Sequence, residues 1–156
     1  MKKLGFRLKH KFFNAFREIF VHHYNSLDFR AKVLALMIAA NEKPRVDNYI
    51  LVKQIAQEIY EKDEDRANLL LLTTKELIDK IHTEHSLSMD ALVNSIVNNV
   101  KLVPRYAKKI DIDRLRKFLE YSSDEDSYYY QLHILEFLEN LKKEILEEKY
   151  QENKEK

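Results

Sequence analysis

Apolar residues recur along this chain at intervals of three and four, the spacing that puts them on one face of an α-helix. Phe12, Phe16, Ile19, Phe20 and His23 make the first such stripe and predict an amphipathic helix over about residues 9–24, closed by Asn25 and Ser26. The next stretch, FRAKVLALMIAA, has only Arg30 and Lys32 as polar residues. A helix apolar nearly all round belongs at the centre of a core, and Ser26 is placed to cap it. Residues 41–46 then break the pattern, because Pro44 lacks an N–H and biases Lys43 away from helical geometry. Val52, Ile55, Ala56, Ile59 and Tyr60 share a face of a third helix over about 47–61. After KDED, a fourth carries Leu70, Leu77, Ile78 and Ile81 and ends near HTEHS. Ser88 and Asp90 open a fifth, whose Met89, Leu92, Val93, Ile96, Val97 and Val100 face inward and whose Asn94, Asn98 and Asn99 face solvent, until Pro104 stops it.

IDIDRLRKFLEY predicts a short sixth helix capped by Asp111. In SSDED, Ser123 is the expected cap of a long seventh helix, with acidic residues in its first turn. Its main stripe is Ile134, Phe137, Leu138, Leu141 and Ile145; Tyr128, Leu132 and Leu135 add a second apolar face that stops at Leu138. Two of the three tyrosines 128–130 are expected in the core, and the second half of the helix is expected to project. The architecture is therefore an all-α, compact single-domain bundle of about seven helices with a projecting C-terminal helix. It divides into a basic amphipathic helix (1–24), an all-α domain (25–146) and a charged, disordered tail (147–156), the last because EEKYQENKEK has no apolar face.

Composition narrows the chemistry. Gly5 is the only glycine, so neither a phosphate-cradling loop nor a GxSxG nucleophile elbow can form. With no cysteine there is no disulfide framework and no thiolate metal site, and a reducing, cytoplasmic setting is expected. The longest apolar runs fall short of the roughly 20 residues that cross a bilayer. His82 and His85 stand three apart, but a helix C-terminus explains them without a metal. The pairs Asp111/Asp113 and Asp124/Asp126 sit where helices begin, and capping explains them too. The Glu-x-x-His pattern of helical metal sites is missing. No enzyme activity and no cofactor are expected.

Charge adds one more feature. The first 24 residues hold six cations against one acid, a balance of +5 that leaves −4 for the rest of a chain whose net charge is +1. Lys2, Lys3, Arg7, Lys9 and Lys11, with Phe12, Phe16 and Phe20, are the candidate contacts of this arm with a protein partner or with an anionic membrane surface. Asn14, Arg17 and Glu18 interrupt its apolar run and no small-residue cleavage site follows, so export is not expected. Localisation is expected to be cytoplasmic, including the inner face of a membrane. Nucleic acid is the least favoured occupant of the arm.

The apolar helix FRAKVLALMIAA, the break after it and the following helix resemble the first helix pair of the tellurite-resistance protein B (TerB-like) family. Asn41 stands where that family has an Asp, and Asp47 lies near the position of its acidic residue. The family's glycine is missing, and Pro44 marks a different turn. The resemblance spans about residues 27–145. It implies a compact all-α domain, metal binding through acidic loops, here Asn41, Glu42 and Asp47, and service in stress-response complexes at the membrane. The expected function is a non-enzymatic all-α interaction module, a stress-response or membrane-associated adaptor. The alternatives are a divalent-metal-binding domain using the loop after the central helix, and a nucleic-acid-binding protein using the basic arm.

Overall fold

The computed structural model describes residues 26–155, and these are all α-helix, 3₁₀ turn or short connection. Helix α1 is already formed at residue 26 and runs to 39. It is followed by α2 (Val46–Ile59), α3 (Glu64–His82), α4 (Met89–Leu102), a 3₁₀ turn (Pro104–Lys109), α5 (Ile112–Arg116), a second 3₁₀ turn (Lys117–Tyr121) and α6 (Glu125–Glu155). No strand occurs among the described residues. The predicted basic helix over 9–24, with its candidate contacts Lys2, Lys3, Arg7, Lys9, Lys11, Phe12, Phe16 and Phe20, lies outside the described residues.

α1 is the axis of the bundle, as its composition predicts. Phe29, Ala31 and every residue from Val33 to Ala39 are buried. Its two polar residues reach out to neighbours: Lys32 Nζ donates to Asn99 Oδ1 of α4 at 2.9 Å, and Arg30 Nη1 donates to the Tyr60 hydroxyl at 3.1 Å. Asn99, expected in solvent, is therefore tied to the core helix. At the other end His82 Nε2 donates to Ala39 O at 2.8 Å. The last carbonyls of a helix lack intrahelical partners, and a side chain from α3 satisfies one of them here.

α2 and α3 form an antiparallel hairpin. Lys75 lies over the Tyr49 ring at 5.6 Å near one end, and Arg66 over the Tyr60 ring at 6.0 Å near the other. Phe29 of α1 stacks on Tyr106 of the first 3₁₀ turn at 5.2 Å, and Lys142 of α6 donates to Ile110 O at 2.7 Å just beyond that turn. Leu92, Ile96 and Val100 of α4 complete the core with Ile110, Leu115, Phe118, Leu135 and Leu138.

Local chemistry sets most helix starts. Asp63, Ser88 and Asp111 each accept a hydrogen bond from the backbone N–H three residues on, the cap geometry that short polar side chains favour. α6 is capped differently from expectation. Asp124 Oδ1, not Ser123, accepts from Ser127 N, at 2.7 Å. The predicted sixth helix is also shorter and tighter, an α-helical turn passing into a 3₁₀ turn at Lys117.

Two expectations about α6 change. Tyr128, Tyr129 and Tyr130 are all exposed, at 39%, 54% and 45%, because Ser127 and Gln131 occupy the inward positions. The helix also continues to Glu155 through residues 147–155, where a disordered tail is expected. Lys, Glu and Gln are strong helix formers, and a helix already nucleated by packing extends without a further nucleation cost. Lys154 lies over the Tyr150 ring at 5.3 Å, one turn back, and adds a contact within this exposed segment.

Candidate functional site

The break after α1 is one of two places where polar chemistry concentrates. Asn41 is fully buried, and its side chain is used on both sides. Nδ2 donates to Tyr121 O at 2.9 Å, and Oδ1 accepts from Ser123 N at 2.9 Å and from the Ser123 hydroxyl. Next to it, Glu42 N donates to Ser127 Oγ at 3.0 Å. Gln131, also fully buried, donates to Met37 O at 3.0 Å and accepts from the Ser122 hydroxyl. This knot ties the 41–43 turn to the start of α6. Asp124 belongs to its rim, and its carboxyl is held below the usual range, chiefly by the Ser127 backbone N–H.

Of Asn41, Glu42 and Asp47 only Asn41 is buried, and its side chain is committed to the knot. The Asn41 carbonyl oxygen faces Ser123, Glu42 is exposed and joined to the knot through its backbone, and Asp47 is exposed in the first turn of α2. That leaves two carboxylates where a hard cation takes six or more oxygens, so the donor set does not fit such an ion. No group of three or more His, Asp or Glu among the described residues is placed to hold a metal. His82 is engaged with Ala39, and His85, the one non-glycine residue with positive φ among those described (54°), forms the turn after α3. Asn48 Oδ1, in the first part of α2, is buried with no hydrogen-bond partner among the described residues.

The second concentration is a depression between α1, α2 and α5. Its walls are Val33, Leu34, Ile55, Ile59 and Leu115, and Arg30, Lys109, Asp111 and Arg114 stand around it. It is small, with a volume of about 30 Å³. Sequence explains how Lys109 reaches it. In PRYAKK, the 3₁₀ turn turns Tyr106 and Ala107 into the core and leaves Arg105 and Lys108 exposed, with Lys109 half-buried. Residues three apart eclipse in a 3₁₀ helix, so Arg105 and Lys108 share a side.

The cations here are of two kinds. Arg114 is neutralised: Nε contacts Glu58 at 3.2 Å and Nη1 contacts Asp111 at 3.2 Å. Arg30, Arg105 and Lys109 make no ion pair among the described residues. Arg30 lies over the Tyr60 ring at 5.5 Å, and Arg105 over Tyr106 at 5.4 Å, contacts that hold a guanidinium without cancelling its charge. Lys109 is held below the ordinary lysine range, first by burial and then by Arg30 and Arg105.

None of these three residues stands out in the periodicity. Arg30 reads as an ordinary polar break in an apolar helix, and the triad needs residues 75 positions apart. The signal that was present is the density of PRYAKK, three cations in the five residues directly after a proline.

Comparison of the chain with protein-family models, with curated proteins and with solved structures finds no match in any of the three.

Proposed function

We propose that this protein is a non-enzymatic, all-α interaction module, an adaptor that docks a protein partner on the face formed by α1, the end of α2, the first 3₁₀ turn and α5. The observation that carries the reading is the basic face around Lys109: Arg30 and Lys109 stand at the edge of a small aliphatic depression with Arg105 near Lys109, and the acid at that edge, Asp111, is paired with Arg114. Like charges held together at a surface cost free energy, and an anionic partner turns that cost into attraction and faster encounter. The knot around Asn41 supports the same reading from the other side, because its buried polar groups are engaged with one another rather than aimed at an open cleft. No helix among the described residues is long and apolar enough to cross a membrane.

The test is a capture from the native cell with the full chain as bait, membrane and soluble fractions kept apart, run beside the double variant Arg105→Glu/Lys109→Glu. The expected result is a partner retained by the parent chain and lost by the variant. A variant that retains every partner overturns the docking face. Turnover of esters, phosphoesters or peptides by the purified chain, undiminished through repeated purification, overturns the non-enzymatic reading.

A further inference from the structure

We propose that the outer end of α6, residues 143–155, is the docking surface for this chain's own basic segment, residues 9–24, which lies along it as an antiparallel helix in line with α1. The surface shares no residue with the docking face proposed above.

Length places the two segments side by side. α6 runs antiparallel to α1, because Ser127 meets the backbone of Glu42 and Gln131, one turn on, meets that of Met37. From Met37 back to residue 26 is about 16 Å of helix, and the same step along α6 from Gln131 ends at Lys142. There Lys142 donates to Ile110 O, beside the 3₁₀ turn on which Phe29 stacks. α6 then continues to Glu155, about 20 Å past the level at which α1 is first described. The helix predicted over 9–24 would be about 24 Å long and joins the bundle at that same level.

The order of residues along the two segments matches as well. On α6 the core-facing stripe Ile134, Leu138, Leu141 and Ile145 is buried, and its next positions at helical spacing are Glu148 and Glu152, both exposed. Outward along α6, one face therefore passes from aliphatic to acidic. Backward along the chain from residue 24, the stripe Phe20, Phe16 and Phe12 gives way to Lys11, Lys9 and Arg7. Laid antiparallel, the phenylalanines lie toward Ile145, the half-buried Leu146 and Tyr150, whose ring is 63% exposed, and the cations lie toward Glu152 and Glu155.

Charge selects this occupant over others. Residues 143–155 hold five acids and three bases, a balance of −2 against the +5 of residues 1–24. None of those five acids has an ion pair among the described residues. An anionic bilayer is repelled by such a face, and a second copy of α6 would set Glu148 and Glu152 against like charge. The chain's own arm brings the opposite charge and is tethered beside the surface, at an effective concentration of about millimolar.

The chain has no cysteine, so Asn14→Cys and Gln151→Cys carry spin labels cleanly on the full chain. Pulsed dipolar spectroscopy is expected to give one narrow distance below about 30 Å, since packed helices run about 8–10 Å apart. In hydrogen exchange on the full chain, Phe12→Ser/Phe16→Ser/Phe20→Ser is expected to speed the amides of residues 149–155 by about tenfold while those of α3 stay within about twofold. Glu148→Lys/Glu152→Lys is expected to speed them by about threefold, and adding Lys9→Glu/Lys11→Glu to restore the protection. Lysine suits a helix C-terminus better than glutamate, so helix propensity and the dipole cannot produce that sign.

A broad distribution, or a peak beyond about 40 Å, overturns the proposal, because the arm is then elsewhere. So does a short distance between chains labelled at Gln151→Cys alone, which would assign the surface to a second copy. Exchange at 149–155 that ignores the phenylalanine substitutions overturns it too. If the triple variant does not melt cooperatively, the label distance in the otherwise parent chain decides by itself.

Discussion

The knot around Asn41 and the basic face around Lys109 are both clusters of polar side chains set against aliphatic core, and they are opposites in how their valences are filled. In the knot, Asn41, Ser122, Ser123, Ser127 and Gln131 satisfy one another and the ends of α1 and α6. On the basic face, Arg30 is held by a ring and a hydroxyl and Arg105 by a ring, no ion pair to Arg30, Arg105 or Lys109 occurs among the described residues, and the acid beside the depression, Asp111, is paired with Arg114. A closed network rigidifies a fold and has nothing left to offer a ligand. An open one contributes little to folding and keeps its interaction energy for a partner. Stability measurements should therefore respond strongly to changes in the first cluster and barely to changes in the second.

The largest effect is expected for Asn41→Ala. It leaves Tyr121 O and Ser123 N short of a partner in a part-buried setting and opens a gap at a fully buried position, and should lower unfolding free energy by about 3 kcal/mol in urea titrations. A loss under about 1 kcal/mol would show that water replaces the amide and that the knot is less closed than its geometry implies. Gln131→Leu keeps the volume and removes the bonds to Met37 O and Ser122, for an expected loss of about 2 kcal/mol by the same measurement. A neutral outcome there would place the knot's stabilising contribution in Asn41 alone.

Asp124 sharpens the comparison through pH. Its folded carboxyl is held below its unfolded range, so the stabilisation is present above the unfolded value near pH 4 and is lost as pH falls through the folded value. Asp124→Asn should therefore lose less stability than the parent chain between about pH 5 and pH 2. Parallel acid limbs for the two proteins would show that another carboxylate governs this region.

The smallest effect is expected at Lys109. With its folded pKa depressed, the unfolded chain holds that proton more tightly, so the charge works against folding at neutral pH and stability recovers as pH rises through the folded and then the unfolded value. Lys109→Gln should stabilise by only about 0.3 kcal/mol, since charges near the surface are screened. A destabilisation above about 1 kcal/mol would mean that Lys109 has a structural task, and the contrast between the two clusters would fail.

The all-α class and the central place of α1 follow from the sequence by itself. One glycine, two prolines and apolar residues three and four apart allow little else, and FRAKVLALMIAA has too few polar residues to lie anywhere but inside. The caps Ser88 and Asp111 were equally legible, because a cap depends on neighbours three residues away. Tyr128 to Tyr130 and Ser123 were misread for one reason. Their surroundings are set by Asn41 and Met37, more than 80 positions back in the chain, and hydrophobicity alone favours burying tyrosine over serine and glutamine. Only the tertiary structure decided that Ser127 and Gln131 point inward, since a buried polar side chain is tolerated wherever a distant segment supplies its partners. It also decided that Arg30 stands beside Lys109, a juxtaposition of two helical segments that no local period encodes.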